Sequence, residues 1–423
     1  MEGRGIATVV LGTDEFRPLA AVQSRAHGLP DLPVVTVRHP IGGIAESLVA
    51  DKAGPIVDPV AAALTAAPAR AAGADGGAGA RVQRAPDDLD ELQAWVMERG
   101  WGDGLPVIPP TPERVARMLT GTRRRRDEVV AVLAPRLGQA TVERAAVNAV
   151  LAGALPEYLP VVLAALEALA DPVFNLQAVQ TTTHPCSPLI IVNGPVVSRL
   201  GMNATGNALG QGTRANAAIG RAVRLALLNL GGARPGREDR ATQGHPGKYS
   251  YCVAENEAES PWPSLSVERG FAAQDSTVTV CGSEGPHNVN DHASITAEGI
   301  VATVASTAAN AGHNNIYLGG EPLVALGPEH AATVAAAGWS KDDFKRALWE
   351  RARVPLSAFA PENIERFSGI DPEGFRDKPL DTLAPIARDW RDIMVIVVGG
   401  AGKHSAVIPT FGMTRSVTRL IPG

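Results

Sequence analysis

The segment from Gln243 to His292 concentrates the side chains of this sequence that could do chemistry. It contains three of the nine histidines and two of the three cysteines, together with several Glu, Asn and Asp residues among glycines and prolines. Core segments are mostly apolar, and polar groups buried in them need partners. This composition favours a polar site for a small molecule or a metal ion, although it does not define the reaction.

Within this segment, the sequence GPHNVNDH, which ends at His292, has the densest set of side chains that could bind a metal or transfer a proton. We predict that it forms a loop between a strand and a helix, where α/β sheets commonly place ligand-binding groups. Histidine beside aspartate can ligate a transition metal or act as a general base with an orienting carboxylate. The metal ligands would be His287, Asp291 and His292, although their spacing matches no standard zinc signature. A divalent metal is the one cofactor that these residue types suggest, and helix capping is the structural alternative.

Histidines and glutamates in neighbouring segments extend this predicted pocket. His184 lies in a His-Pro-Cys turn, and His245 lies in a glycine-flanked loop that lets the backbone approach a ligand. Structural histidines and an exposed acidic edge explain the same residues without a site. The predicted catalytic residues are His184, His245, Glu255, Glu284, His287, Asp291 and His292.

A second group of residues is predicted to bind the substrate. Arg214 and Asn216 fall in the first turn of a long predicted helix, after a segment rich in glycine and asparagine, and helix N-termini favour anions. Lys248 could neutralise a carboxylate or a phosphate. The glycine spacing matches neither a dinucleotide-binding fingerprint nor a P-loop. The predicted substrate-binding residues are Arg214, Asn216, Lys248, Asn288 and Asn290.

The elements that must position these residues begin with a small βαβα unit over residues 1–64. Its predicted strands are 6–11 and 33–38, and its helices run from 14 to 27 and from Ile44. Because Met1 lies almost at the first strand, we expect this unit to be incomplete at its N-terminus. Residues 65–85 are rich in alanine, glycine and proline, which is typical of a flexible linker.

A larger α/β domain with a mixed sheet is predicted over residues 86–423, and it carries every predicted site residue. Ser340 followed by Asp343 is a variant capping box that predicts the start of a helix. The predicted helices include 141–153, 160–170, 213–230, 294–311 and 341–352, and the predicted strands include 188–193, 276–281, 316–318, 322–326 and 393–398.

Composition limits the classes of partner. The net charge is −5 and no domain is basic, apart from one short run from Arg123 to Arg126, which disfavours nucleic-acid binding. No apolar run reaches the roughly 18 residues of a membrane span. Three widely spaced cysteines do not form a disulfide framework, so we expect a cytoplasmic protein with a small-molecule substrate. Self-association stays open.

The stretch FRPLAAVQSRAHGLPDLPVVTVRHPIGG, with His39, Gly42 and Gly43 in its last loop, resembles the UGSC-motif (seleno)protein family. The downstream segments DGLPVIPPTPERV, ATQGHPGKYS and GPHNVNDH are also similar to family blocks. The resemblance implies redox chemistry at a selenocysteine or cysteine motif just before the first strand. This chain lacks that motif, and its first cysteine is Cys186.

Taken together, residues and resemblance suggest an enzyme that performs a redox- or thiol-linked transformation of a small polar or anionic metabolite in a His/Asp/Glu pocket. A thiol or redox partner would then come from outside the chain. Two other hypotheses are open. The protein could be a metal-dependent hydrolase or lyase, or a non-catalytic subunit of a redox complex whose active cysteine lies in another polypeptide.

Overall fold

Two four-stranded sheets form the centre of the molecule in a computed structural model that describes residues 6–65 and 82–422. The strands are β1 (Val10–Thr13), β2 (Val34–Val37), β3 (Val129–Leu133), β4 (Gly138–Thr141), β5 (Ser187–Asn193), β6 (Cys252–Ala254), β7 (Thr277–Ser283), β8 (His287–Asn290), β9 (Leu323–Leu326), β10 (Arg353–Pro355), β11 (Leu383–Pro385), β12 (Met394–Val397), β13 (His404–Ile408) and β14 (Val417–Leu420). The helices are α1 (Arg17–Ala26), α2 (Glu46–Ala53), α3 (Val57–Thr65), α4 (Leu89–Glu98), α5 (Pro112–Leu119), α6 (Val142–Leu151), α7 (Leu159–Leu169), α8 (Leu176–Thr181), α9 (Val196–Arg199), α10 (Arg214–Asn229), α11 (Leu265–Glu268), α12 (Ala297–Ala308), α13 (Asn314–Leu318), α14 (Pro328–Ala336), α15 (Lys341–Arg351), α16 (Pro361–Ile370) and α17 (Pro372–Phe375).

Both central sheets are mixed. The first has the strand order β14–β7–β5–β6, and the second has the order β12–β9–β13–β8. β5 runs parallel to β6, and β9 runs parallel to β12, while the other neighbours are antiparallel. The prediction of an α/β fold with a mixed sheet is therefore confirmed. The sequence did not predict that there are two sheets, because hydrophobic periodicity identifies strands but not their partners.

Alternate residues of β5 face different layers of the molecule. Ile190 and Val192 pack with helices α6, α7 and α10, whereas Leu189 and Ile191 pack against apolar residues of the second sheet. Side chains alternate across a strand, so a strand buried on both faces is apolar throughout. Helices α12, α14 and α15 cover the outer face of the second sheet. The result is a four-layer sandwich in which two sheets pack face to face between helices.

The chain crosses from the first sheet to the second at Glu284. β7 ends at Ser283, and β8 begins at His287 in the other sheet. The backbone N–H of Glu284 donates to the Pro409 carbonyl at 2.8 Å, on the segment that returns from β13 to β14. Two crossing segments thus pair with each other and fix Glu284 between the sheets, at one end of the sandwich.

Several local predictions are confirmed and others are wrong. Ser340 and Asp343 form the predicted capping box at the start of α15. Residues 316–318, predicted as a strand, belong to α13. Residues 287–290, predicted as a loop, form β8 and pair with β13. The sequence HNVN hid this strand because only Val289 faces the core, and the polar residues around it resemble a loop.

The N-terminal residues form the predicted β-α-β pattern. β1 and β2 are a parallel pair joined by α1, and helices α2 and α3 follow. Gln23 Nε2 donates to the Pro135 carbonyl at 2.6 Å, and Arg240 pairs with Glu15 at 2.9 Å, so this unit contacts the larger part of the chain. Of the predicted linker, residues 66–81 lie outside the described residues, and the division into domains stays a prediction.

No helix within residues 6–65 and 82–422 is both long and apolar enough to cross a bilayer.

Candidate active site at the crossing between the sheets

Glu284 and His184 form the centre of the candidate site. His184 Nε2 lies 2.8 Å from Glu284 Oε1, and because a carboxylate only accepts hydrogen bonds, Nε2 carries the proton. His184 lies three residues before the start of β5, and its ring packs on Phe411 with the centroids 5.2 Å apart. The Glu284 side chain keeps 23% of its surface exposed. A small molecule can therefore reach the carboxylate.

His245 and Tyr251 approach Glu284 from the segment that precedes β6. The Tyr251 hydroxyl donates to the backbone carbonyl of Glu284 at 3.0 Å, and its ring lies edge-on to His245 at 5.4 Å. His245 Nδ1 accepts a hydrogen bond from the Gly247 backbone at 3.1 Å. Burial lowers the pKa of His245 and Lys248 lowers it further, against the opposing effects of the Ser283 backbone and Glu284. His245 is therefore neutral at pH 7.

His313 and His287 complete the group around this carboxylate. His313 Nδ1 lies 3.2 Å from the Ala308 carbonyl, so Nδ1 carries the proton and Nε2 of the neutral ring is an acceptor. Burial lowers the pKa of His313, the charge of Glu284 raises it, and His287 lowers it. Both residues are thus within electrostatic reach of this centre. We call His184, His245, Glu284, His287 and His313 the Glu284 cluster.

Lys248 lies next to the Glu284 cluster and forms an ion pair with Asp239. Its ammonium group contacts both carboxylate oxygens of Asp239, at 2.8 and 2.7 Å. Only 17% of the Lys248 side chain is exposed. Asp239 thus already neutralises Lys248, and the predicted binding of an anionic substrate by Lys248 stays a prediction. Its remaining effect is to lower the pKa of His245.

Glu255 lies at the opposite end of the first sheet, which corrects its predicted place in the pocket. Ser187 at the start of β5 pairs with Ser283, which directly precedes Glu284. Asn193 at the other end of β5 pairs with Thr277, so Glu284 and Asn193 lie at opposite ends of this sheet. Seven residues of strand span roughly 20 Å. Glu255 Oε2 accepts hydrogen bonds from Asn193 Nδ2 at 2.6 Å and from the Leu265 backbone at 2.9 Å. Burial raises the pKa of Glu255, while Lys341 lowers it.

His292 also lies away from the Glu284 cluster. His292 Nε2 is 3.1 Å from His404 Nε2, and His404 Nδ1 is 2.9 Å from Asn288 Oδ1. All three residues are exposed. Because the Asn288 oxygen accepts from Nδ1, His404 Nε2 is free to accept a hydrogen bond from His292. Asn288 thus contacts His404, Asn290 is exposed opposite His404, and the substrate-binding role of both asparagines stays a prediction.

Asp291 holds the turn that leads into α12. Its carboxylate accepts hydrogen bonds from the Ser294 backbone at 2.9 Å and from the Thr303 hydroxyl at 2.7 Å. Burial alone would raise the pKa of Asp291, but these hydrogen bonds outweigh it and lower the pKa to about 2. Both oxygens are thus engaged within the protein. These contacts fit the capping alternative, and the catalytic role of Asp291 stays a prediction.

The predicted metal ligands are not brought together. His287 and His292 lie at the two ends of β8, and Asp291 is held by Ser294 and Thr303. An extended strand separates residues 287 and 290 by about 10 Å, whereas ligands of one metal ion lie within a few ångströms of each other. Throughout residues 6–65 and 82–422, no three His, Cys, Asp or Glu side chains form a group that could hold a metal ion.

Arg214 and Asn216 have structural partners. Both Arg214 Nε and Nη2 donate to the Gly153 carbonyl, at 3.0 and 2.9 Å. Asn216 is buried, accepts from the Asn203 backbone N–H at 2.9 Å and donates to the Asn203 carbonyl at 2.8 Å. These contacts anchor the glycine-rich segment before α10. These contacts engage Asn216 and part of the Arg214 guanidinium group, and the substrate-binding role of both residues stays a prediction.

The three cysteines are poor nucleophiles. Cys186, Cys252 and Cys281 are all buried and unpaired. Burial raises the pKa of Cys186 and of Cys281 to about 12, and it raises the pKa of Cys252 as well. The thiolate is the reactive form, and at neutral pH it is negligibly populated at such sites.

The predicted site residues include neither His313 nor Tyr251. The sequence leaves His313, in the segment AGHNN, open between a pocket residue and a helix end, because no local pattern connects it with residue 284. Tyr251 has no charge to attract notice, although it directly precedes β6. A histidine such as His313, between two glycine-containing turns, is weak evidence for a site until the fold shows what lies near it.

Comparisons with known proteins inform on the N-terminal part of the chain. Residues 1–66 match the model of the UGSC family, which confirms the resemblance over this segment. The downstream segments that also resembled the family lie outside this match, and so does every residue of the Glu284 cluster. No curated protein and no solved structure matches the chain. Residues 1–66 are thus similar to the UGSC family.

Proposed function

We propose that this protein is an enzyme that acts on a small polar or anionic molecule by proton transfer at the Glu284 cluster. The observation that carries the proposal is the convergence of three histidines from separate segments on one reachable carboxylate. Perturbed titratable groups that share a charge partner are common at active sites. Structural packing alone does not require His184, His245 and His313 to surround the same charge.

Glu284 is the proposed general base. Its Oε1 is engaged by His184, and the structure gives Oε2 no hydrogen bond with any described residue. The hydrogen bonds from His184 to the side chain and from Tyr251 to the backbone hold the carboxylate in one orientation. Such positioning keeps a catalytic group ready for a substrate without a cost of reorganisation. His184 and Tyr251 are accordingly positioning residues.

His313 is the proposed second proton carrier. The Ala308 carbonyl fixes the proton on Nδ1, and burial lowers the pKa, so Nε2 is an unprotonated acceptor near neutral pH. In the proposed step a C–H or O–H proton of the substrate moves to Glu284. The electron pair stays on the substrate, where a neighbouring carbonyl or carboxylate delocalises it. His313 then relays protons between the site and water.

The other hypotheses have less structural support. A thiol-linked reaction would need a thiol from outside the chain, because burial suppresses the thiolate of all three cysteines. A metal-dependent hydrolase or lyase would need ligands other than His287, Asp291 and His292, since these residues lie apart. A non-catalytic subunit would not need the arrangement around Glu284.

Isotope exchange tests this proposal without knowledge of the net reaction. The full chain is incubated in D2O with pools of small oxo, hydroxy and amino carboxylic acids, and proton NMR follows the loss of substrate C–H signals. We expect exchange or turnover of at least one compound, and Glu284→Gln should slow it by about 100-fold or more, the usual contribution of general base catalysis.

The matched control is His404→Asn, which changes an exposed residue at the other end of β8 and should keep the rate within about twofold. Equal rates for wild type and Glu284→Gln would remove the cluster as the active site. No exchange or turnover of any compound by the wild type would contradict the proposal of a proton-transfer enzyme.

A further inference from the structure

A cleft rich in arginine lies where the N-terminal unit meets the rest of the molecule. It has a volume of about 320 Å³ and is lined by Val22, Arg25, Ala26, Arg136 and Arg237. α1 supplies the first three of these residues, and loops of the larger part supply Arg136 and Arg237. No acidic residue is among those lining the cleft. Its chemistry therefore differs from that of the Glu284 cluster.

Arg136 is held in a fixed position at this cleft. Its Nε donates to Glu238 Oε1 at 3.1 Å, and its Nη2 contacts the same oxygen. Glu238 is only 1% exposed, so it acts as a buried anchor. Gly232 leaves room for the Arg136 side chain, because a Cβ at Gly232 would lie 2.4 Å from Arg136 Cδ. One guanidinium group is thus preorganised at the cleft.

The other two arginines are exposed and lack partners among the described residues. Neither Arg25 nor Arg237 forms a side-chain hydrogen bond or an ion pair with a residue of the described ranges. Three positive charges and the single negative charge of Glu238 leave an excess of about two positive charges at the cleft. Like charges that face one cavity repel each other unless an anion lies between them.

We propose that this cleft binds a compact dianion, of the class of phosphate monoesters and small dicarboxylates, between α1 and the larger part of the chain. Guanidinium groups match the geometry of phosphate and carboxylate oxygens and bind them through paired hydrogen bonds. The volume lies at the lower end of small-molecule pockets, which fits a ligand of metabolite size. The ligand would connect the UGSC-family unit to the larger part through Arg25 on one side and Arg136 and Arg237 on the other.

This site goes beyond the proposed proton-transfer function and can be tested separately. The test measures binding by isothermal titration calorimetry of the full chain at low ionic strength, with inorganic phosphate, pyrophosphate and succinate as probes. We expect at least one dianion to bind, with an affinity that weakens as salt rises. Stronger binding of the phosphates would assign the phosphate class, and stronger binding of succinate would assign the dicarboxylates.

Variants locate the binding. Arg237→Ala removes one charge-assisted hydrogen-bonding group and should weaken binding by about tenfold or more, and Arg25→Ala should add to this effect. Arg199→Ala is the matched control, because Arg199 is an exposed arginine outside the cleft and its loss changes the net charge equally. Equal weakening by Arg199→Ala would show a nonspecific charge effect and overturn the proposal. Absence of binding by all three probes would also overturn it.

Discussion

The two ends of β8 have very different surroundings, although His287 and His292 are both exposed. At the first end, His287 lies near Glu284 and His313, and burial lowers the pKa of His313 and of His245. At the second end, His292 and His404 contact each other in an exposed position. Titratable groups become chemically distinctive when they are desolvated and placed near a charge, and only the first end meets both conditions.

The same difference separates the two ends of the first sheet. The buried carboxylate of Glu255 is occupied by Asn193 and the Leu265 backbone, whereas Glu284 stays within reach of solvent. Glycine-rich loops gather at the Glu255 end, where a cleft of about 210 Å³ is lined by Gly399 and His404 among other residues. Burial alone thus does not identify the reactive carboxylate. Accessibility together with an orienting partner does.

The largest effect that would sharpen this comparison is expected for His313→Asn. Loss of the acceptor nitrogen should lower kcat/KM by roughly 10- to 100-fold, within the range for a general acid or base. The pKa of His313 is lowered, so the ring stays neutral as the pH falls through the usual histidine pKa of about 6.5. Wild-type kcat/KM should therefore stay constant through that pH and decrease only in more acidic solution. The variant should lose this acidic limb, which a pH–rate profile would reveal. An unchanged profile would exclude His313 from the proton transfer.

Asp291→Ala tests whether Asp291, which directly follows β8, has a structural role. Removal of the cap should lower the free energy of unfolding by about 1–2 kcal/mol, measured by urea denaturation, with little change in activity after correction for folded protein. The folded pKa of Asp291 is lowered to about 2, so its contribution is complete above the unfolded value near 3.8 and is lost as pH falls toward 2. A large loss of activity without loss of stability would contradict the capping role.

Cys186→Ala addresses the cysteine nearest to the cluster, whose thiol senses the charges of Lys248, Asp239 and Glu284. We expect activity within about twofold of the wild type and a loss of stability of about 1 kcal/mol from the small cavity. Thiol titration should detect no cysteine in the native protein and three after denaturation. Rapid labelling of the native protein, with loss of activity, would restore a thiol mechanism.

The smallest effect is expected for His292→Ala. Its ring is exposed and contacts only the exposed ring of His404, so activity should change by less than about twofold and stability by less than about 0.5 kcal/mol. Activity assays and thermal unfolding would measure both. A loss comparable to that of Glu284→Gln would mean that both ends of β8 contribute to one site.

Helices and strands could be predicted from the sequence where the pattern of apolar residues is long and regular. The strands around 188–193 and 393–398 and the helix at 213–230 are apolar or strongly periodic, and the structure contains them within a few residues. β8, β13 and β14 were not predicted, because their polar residues face solvent or loops and their partners are distant in sequence. Capping residues such as Ser340 and Thr111 were predictable because their contacts are local.

The residues of the candidate site could likewise be predicted only in part. His184, His245, Glu284 and His287 were predicted from residue type, and the structure brings them together, although no finding yet tests their function. Glu255, Asp291 and His292 were predicted with equal reason and lie elsewhere, because one strand separates residues that are close in sequence. His313 joins the cluster from a distant segment.

The sequence by itself determined which segments are helices and strands where the pattern was strong, which residues could carry chemistry, and the resemblance of the first 66 residues to one family. Only the tertiary structure decided which histidines share a charge, which carboxylates are already occupied, and which arginines face one cleft. The physical reason is distance. Residue type and local pattern act over a few residues, whereas desolvation, charge pairing and cleft formation depend on segments that meet only when the two sheets pack together.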